Sequence, residues 1–416
     1  MSHIDDLIAR LCPNGVEYKA LEELGATYGG LAGKTKADFS GGNARFVSYK
    51  TVFGNIIAAL DGTEYVRVEP CEKQNAVALG DVIFTGSSET PEDVGMSSVV
   101  VESPSEAIFI NSFCFGYRLN NADLLLPGFS KYLFRSDCVR KQIVLCASGV
   151  TRFNISKKRF MKLRIPVPPI EVQREIVKVL DTFTELEAEL EAELEARRRQ
   201  YMYYRDALLT FDKGATGTNK QTSNVRWTTL GEIAIYSNSR TQARDLDAES
   251  YVGVENLLAD MRGRTRSSYV PTTGQSIGYK TGDILIGNIR PYLKKIWLAD
   301  SDGGTNQDVL VVQIQTDKRA LMSSRFLYHL LASEKFFAYS MKNAKGAKMP
   351  RGDKTAVLRY ELPVPARVVQ ERIVAILDKF DVLVNDLSSG LPAEIKARRQ
   401  QYEHYRDRLL TFKEAS

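Results

Sequence analysis

The stretch Ala196–Phe211, ARRRQYMYYRDALLTF, returns as Ala397–Phe412, ARRQQYEHYRDRLLTF. Working outward, Ile165-Pro166-Val167-Pro168 is matched by Leu362-Pro363-Val364-Pro365. Gln173, Ile176, Val177, Leu180, Asp181 and Phe183 are matched in step by Gln370, Ile373, Val374, Leu377, Asp378 and Phe380. The offset is 197 residues upstream and 201 downstream, so the second copy holds four extra residues. Agreement of this length and order is an internal repeat and not coincidence. Weaker anchors extend it: Val16-Glu17-Tyr18 with Val225-Arg226-Trp227, and Gly80-Asp81-Val82-Ile83 with Gly282-Asp283-Ile284-Leu285. Between these anchors the halves diverge.

The repeated segment reads as a long helix. Ile176, Leu180, Phe183, Leu186, Leu190 and Leu194 fall three or four apart, and Tyr201, Tyr204 and Leu208 continue the stripe. Neither Pro nor Gly interrupts residues 171–211, which predicts a rod about 60 Å long at ~1.5 Å per residue. A solitary, solvated, salt-bridge-laced helix is the plain alternative. The second copy argues instead for two helices in an antiparallel, coiled-coil-like pair with internal pseudo-two-fold symmetry. Its packing residues would be Ile176, Leu180, Phe183, Leu190, Leu194, Tyr201 and Leu208 against Ile373, Leu377, Phe380, Tyr402 and Leu409. Ser388-Ser389-Gly390 before Leu391-Pro392 predicts a break in the second copy that takes up the extra residues.

The expected class is therefore α+β, with two mixed α/β domains separated by long helices. The boundaries are a first domain over 1–165, a first helix over 166–211, a linker over 212–224, a second domain over 225–361 and a second helical region over 362–416. Short β-rich runs (Ala44–Tyr49, Ser97–Val101, Ala107–Ile110, Val309–Ile314) alternate with turn clusters. One helix is expected late in each domain, Phe129–Val144 and Ser324–Met341, and the polar run Gly214–Asn224 reads as the linker.

Charge is unevenly placed. Residues 226–358 hold 19 Lys/Arg against 13 Asp/Glu, residues 16–165 hold 18 against 16, and the helix over 171–211 is acidic, with 6 against 10. Positive charge on the globular segments suits a polyanion. Just before each Pro-x-Pro lies a small-residue turn in a basic cluster. In the first half it runs Ala147-Ser148-Gly149-Val150-Thr151-Arg152, followed by Lys157 and Lys158. In the second it runs Ala344-Lys345-Gly346-Ala347-Lys348, followed by Arg351. Gly149 and Gly346 lie 197 residues apart, in register with the repeat. A basic turn alone is usually a solvated face. The same turn at the same place in two unlike domains suits phosphate contacts and groove insertion. Lys34 and Lys36 after Gly29-Gly30, Ser87 and Ser88, Arg264 on a possible hairpin, and Asn288 with Arg290 are further candidate DNA contacts.

Other classes find little support. Five cysteines without a C-x-x-C pair and three scattered histidines predict neither a disulfide framework nor a metal site. No apolar run of membrane length exists, and Asp5 and Asp6 argue against a secretory signal, so a cytoplasmic protein is expected. Residues 30–35, GLAGKT, miss the phosphate-gripping spacing by two, and no Asn/Asp-Pro-Pro-aromatic methyltransferase motif occurs. No cofactor is expected. An autonomous DNA-modifying enzyme and a pure coiled-coil scaffold are the alternatives in play. Two divergent basic domains count against the scaffold.

The combination resembles the specificity subunits of type I restriction–modification systems. It rests on Pro-x-Pro leading into Glu-x-Gln…Ile-Val…Leu-Asp-x-Phe, on the Arg-Arg-x-Gln-Tyr…Tyr-Arg-Asp-x-Leu-Leu-Thr-Phe ending, and on Gly390-Leu391-Pro392-Ala393-Glu394-Ile395. The resemblance implies a non-catalytic subunit whose two target recognition domains each read half of a bipartite, asymmetric site in double-stranded DNA. It also implies that the helices dock two methyltransferase subunits, to which motor–nuclease restriction subunits add. One departure stands out: the first helix lacks the Gly-Leu-Pro break and carries Leu-Glu-Ala-Glu repeats.

Overall fold

The computed structural model describes residues 2–62, 64–211, 225–385 and 390–415. The Gly214–Asn224 linker and the Ser388-Ser389 pair lie outside the described residues. The chain forms two compact units, Met1–Glu189 with Ala397–Ser416, and Leu190–Lys396. Their boundaries do not follow the sequence order of domain and helix. Each unit combines one globular domain with half of the first repeat helix and part of the second.

In the first unit the domain is closed where the chain enters and leaves it. Tyr18–Ala20 pairs antiparallel with Arg164–Pro166. Inside lies an antiparallel sheet of four strands, in the order Gly25–Gly29, Cys114–Leu119, Val82–Thr85, Ser97–Val99. Its core is aromatic: Phe84, Phe115, Phe134 and Phe160 meet with ring centroids 4.9–5.4 Å apart, a spacing that favours edge and offset contacts. The second unit repeats the plan. Arg226–Thr229 pairs with Glu361–Val364, and a four-stranded sheet runs Ala234–Tyr236, Val309–Ile314, Ile284–Gly287, Ile296–Leu298. The matched Gly80-Asp81 and Gly282-Asp283 make the same turn. Both glycines sit at positive φ, and Asp81 and Asp283 accept the backbone N–H of Ala78 and Lys280 at 2.8 Å.

Each expected late helix is two helices. Pro127–Leu133 gives way to Asp137–Leu145, and Ser324–Leu331 to Glu334–Lys342. The cause is the same residue in both copies. Ser136 and Ser333 are buried, and each hydroxyl donates to the carbonyl three residues back at 2.7 Å. This local bond competes with helix continuation. Three other expectations are also adjusted. Tyr49 opens a short helix instead of ending a strand, the strand from Ser97 stops at Val99, and only Phe109–Ile110 of the Ala107 run is extended. The amphipathic N-terminal helix Ser2–Leu11 was not anticipated; it buries Ile4 and Leu7.

The first repeat helix is continuous over Ile170–Leu209. The second runs Arg367–Asn385 and restarts at Gly390–Leu409. Within the first unit Phe183 stacks on Tyr405 at 5.4 Å and Glu187 pairs with Arg399. One number rises as its partner falls, so the helices are antiparallel. Within the second unit Tyr201 and Tyr204 stack on Phe380 at 6.2 and 5.5 Å, while Leu194 shares a core with Leu391 and Ile395. The stripe serves two partners. Ile176 and Leu180 are buried beside Phe129 and Tyr132 of their own domain as well as Leu409, and Ile373 and Leu377 beside Phe326 and Leu327. Leu190, Leu208 and Tyr402 are half-buried, whereas Leu186 is largely exposed.

A matched pair of glutamines fixes each helix to its domain. Buried Gln173 accepts from the N–H of Leu126 at 2.9 Å and donates to the carbonyls of Leu124 and Pro168. Gln370 makes the equivalent bonds with Ser323, Leu321 and Pro365. Two turns on, Asp181 accepts from Tyr132 and pairs with Lys131, and Asp378 pairs with His329 and Arg325. Burial opposes ionisation of Asp378, but its bonds to His329 and Arg325 win and hold the carboxyl below its usual range.

Candidate nucleic-acid interface

The first basic turn is the tip of a small sheet. Ala147–Ser148 and Phe153–Ile155 pair antiparallel, and the third strand is Ser87–Ser88, with Phe153 opposite Ser88. Two sequence candidates 65 residues apart therefore meet: Arg152 Nε donates to Ser87 Oγ at 3.0 Å. Gly149 has φ +141°, and a Cβ there would lie 2.0 Å from the Arg152 carbonyl oxygen. Only glycine makes this turn without displacing its far side. Val150 projects at the tip, 91% exposed, with Thr151 exposed beside it. The Arg152 guanidinium stacks 5.2 Å from the ring of Phe113, itself half exposed. Ser156 caps the helix Lys157–Phe160. Lys157 lies over Phe115, and Lys158 is exposed.

The second turn is built the same way. Lys345 and Arg351 exchange both backbone hydrogen bonds, at 2.9 and 2.8 Å, closing the loop over Gly346–Pro350. Arg290 donates its N–H to Pro350 at 2.7 Å and Gly352 donates to Asn288 at 2.9 Å. Asn288 and Arg290 thus flank this loop as Ser87 and Ser88 flank the other. Arg290 is one of the few described non-glycine residues at positive φ, at 53°, a backbone conformation that costs energy and clusters at functional sites. Lys345 pairs with Asp353 and Arg351 with Asp308. The Asp353 carboxyl is pushed down to about 2 by the Lys345 bond first, then by the N–H groups of Ala356 and Thr355. Lys348 is exposed and carries no ion pair among the described residues.

Other candidates are placed differently. Lys34 is held against Glu72 with its side chain almost wholly covered. Arg264 lies over Trp297 at 4.7 Å and donates to the Glu249 carbonyl. The hairpin around it exists, through Leu257 opposite Arg264. Ser87 and Asn288 are themselves buried, so they brace their turns more than they face solvent. Lys36 is exposed on a short 3-10 turn, and no hydrogen bond or ion pair connects it to the first turn. Sequence reasoning missed Phe113, the platform for Arg152, and Tyr49, whose hydroxyl donates to the Ser87 carbonyl at 2.7 Å. The phenylalanine that follows the polar pair Asn111-Ser112 was the available signal for the former. Among the described residues no cluster of His, Cys, Asp and Glu has the arrangement of a metal site, and no helix is long and apolar enough to cross a membrane.

The family model for the type I restriction modification DNA specificity domain matches twice, over residues 13–196 and 226–397. The chain belongs to the type I restriction–modification specificity family. Among relatives, the specificity subunit of the EcoR124I/EcoR124II restriction enzyme of Escherichia coli is 31% identical over 272 residues. That alignment covers 62% of this chain and 64% of the relative, so the chain matches a little under two thirds of that relative's length. A putative type I specificity subunit of Haemophilus influenzae is 31% identical over 284 residues, 64% of this chain and 68% of the relative. A solved chain from work on complex assembly and conformational transition of the type I system superposes with a TM-score of 0.63. It covers 96% of this specificity subunit and 98% of its own length at 18% identity, a likeness of fold. The two family matches end inside the repeat helices, as the repeat of the sequence requires.

Proposed function

We propose that this specificity subunit reads a bipartite, asymmetric DNA site and has no catalytic role of its own. One recognition domain, residues 1–165 or 225–361, addresses each half. The observation that carries this reading is the paired turns. Two domains of unlike sequence place a glycine-hinged, basic loop at the same point of the same scaffold, each braced by the strand end that follows a matched Gly-Asp turn. Exposed donors on a rigid mount suit phosphate positioning, and a projecting loop tip suits entry into a groove. Unlike loops on like mounts suit two different half-sites, in contrast to the palindromes of symmetric dimers. The helices would dock two methyltransferase subunits, to which restriction subunits add.

The test is direct. The purified chain should transfer no labelled methyl group to DNA by itself, and methylation should appear once a cognate methyltransferase subunit is added. Methyl transfer by the chain alone would overturn the reading.

The two lysines of the second loop separate finely. Lys348 has no ion pair among the described residues, so Lys348→Ala should weaken DNA binding and lower the slope of log K against log salt by about one. Lys345 is already tied to Asp353, and Lys345→Ala should change the slope less. Fluorescence anisotropy at four salt concentrations measures both. Slopes unchanged from the wild type in both variants would return the loop to ordinary surface.

A further inference from the structure

The two copies of the Tyr-Arg-Asp motif have different partners. In the second copy Arg406 lies over the ring of Tyr402 and grips its neighbour Asp407 with two bonds, Nε to Oδ1 at 3.0 Å and Nη2 to Oδ2 at 3.1 Å. In the first copy Arg205 lies over Tyr201 in the same way, at 5.0 Å. Its neighbour Asp206 faces another hollow, beside Leu209 and Trp227, and does not pair with it. Arg205 is 2% exposed, and among the described residues its Nε meets no hydrogen-bond acceptor and it forms no ion pair. A buried guanidinium nitrogen without an acceptor is costly, and such groups are nearly always paired.

Arg205 lines a hollow of about 420 Å³ within the second unit, with Arg198, Arg199 and Arg262 around it. Arg198 uses Nη1 on Glu195, at 2.9 Å, and its Nε also lacks an acceptor. Arg262 spends its Nε on the Ala259 carbonyl, and Arg199 is exposed and forms no ion pair among the described residues. Four arginines face two carboxylates, Glu195 and Asp260. Asp381 acts on Tyr201 but forms no ion pair with Arg205. We propose that this hollow binds a single compact oxyanion, a carboxylate or a phosphate group, held by Arg205 and Arg198 where Asp407 serves in the other copy. The rim carboxylates disfavour an extended polyanion and leave room for one anionic group. Bidentate gripping of two oxygens is what a guanidinium does best.

The full-length chain provides the test, with neither DNA nor partner subunits, so failure here leaves the DNA-reading proposal untouched. Thermal unfolding and the arginine Nε–H resonances are followed as sodium phosphate or sodium acetate replaces sodium chloride at constant ionic strength. The wild type should show a saturable rise in Tm and a saturable shift of the Arg205 Nε–H resonance, assigned by its loss in Arg205→Lys. A stronger response to phosphate assigns a phosphoryl ligand, and a stronger response to acetate a carboxylate. Arg205→Gln should abolish the saturable part, whereas Arg406→Gln should retain it. Arg199→Gln alters only an exposed rim residue and should weaken the fitted affinity about threefold or more, which keeps the test decisive if Arg205→Gln fails to fold. The absence of saturation with both anions in the wild type would overturn the proposal. So would an unchanged response in Arg205→Gln or Arg199→Gln.

Discussion

Exchanging residues 226–364 for the matching segment of a relative should replace one half of the recognised site and leave the other half untouched. The boundaries come from the ladder that closes the domain. Arg226 lies opposite Val364 and Thr229 opposite Glu361, and Leu230 donates to the Tyr360 carbonyl at 2.8 Å. A cut at Tyr360 would pair a foreign first strand with a native last one, and a one-residue slip there would turn every side chain over. Moving both strands together keeps the register inside the transferred piece. Each wrong base pair costs a DNA reader about 1–3 kcal/mol. Three altered pairs in one half-site should therefore shift preference by roughly a hundredfold or more. The measurement is the methylated motif in cells carrying the chimera with a cognate methyltransferase. If both halves change together, or the motif is palindromic, the two-reader model fails.

Much of this architecture was legible because the chain says it twice. The Leu-Pro-Val-Pro and Ile-Pro-Val-Pro entries, the Gln173 and Gln370 clamps and the Gly-Asp turns each occupy one place in the repeat and do one job in both units. The basic turns were visible for the same reason. What the sequence hid were the consequences of long-range pairing. Nothing local says that Ser87 lies beside Phe153's neighbour Arg152, since that meeting needs the three-stranded sheet to form. Lys34 and Arg264 read as free cations, yet Glu72 and Trp297 claim them from distant parts of the chain. Periodicity showed the helical stripe but not its division of labour, because Ile176 and Phe183 lie on nearly the same face and differ only in what reaches them. The serine breaks at Ser136 and Ser333 were missed since serine is tolerated within helices and signals a stop only when its hydroxyl finds a carbonyl.

The largest loss of stability is expected from the glutamine clamps. Gln173 is fully buried, and its amide satisfies one backbone N–H and two carbonyls that belong to two separate stretches of chain. Gln173→Ala would strand all three groups at the point where the domain, the Pro-x-Pro segment and the long helix meet. Each buried, unsatisfied backbone group costs about 1–3 kcal/mol, and entry of water into the space left by the side chain offsets part of it. The net effect should be about 3 kcal/mol, and Gln370→Ala should match it, because its three bonds are the same in kind. Gln173→Glu is the sharper probe. It keeps size and the acceptor to Leu126, but it replaces the two donated bonds with a carboxylate facing two carbonyl oxygens, so it should destabilise at least as much as alanine at neutral pH. Protonating that carboxyl restores one donor, so the deficit of Gln173→Glu relative to the wild type should shrink as the pH falls toward 5. Urea unfolding at two pH values measures this. A Gln173→Ala cost under about 1 kcal/mol, the worth of one ordinary hydrogen bond, would show that the clamp is dispensable and that apolar burial of Val172, Ile176 and Leu180 alone fixes the helix to its domain.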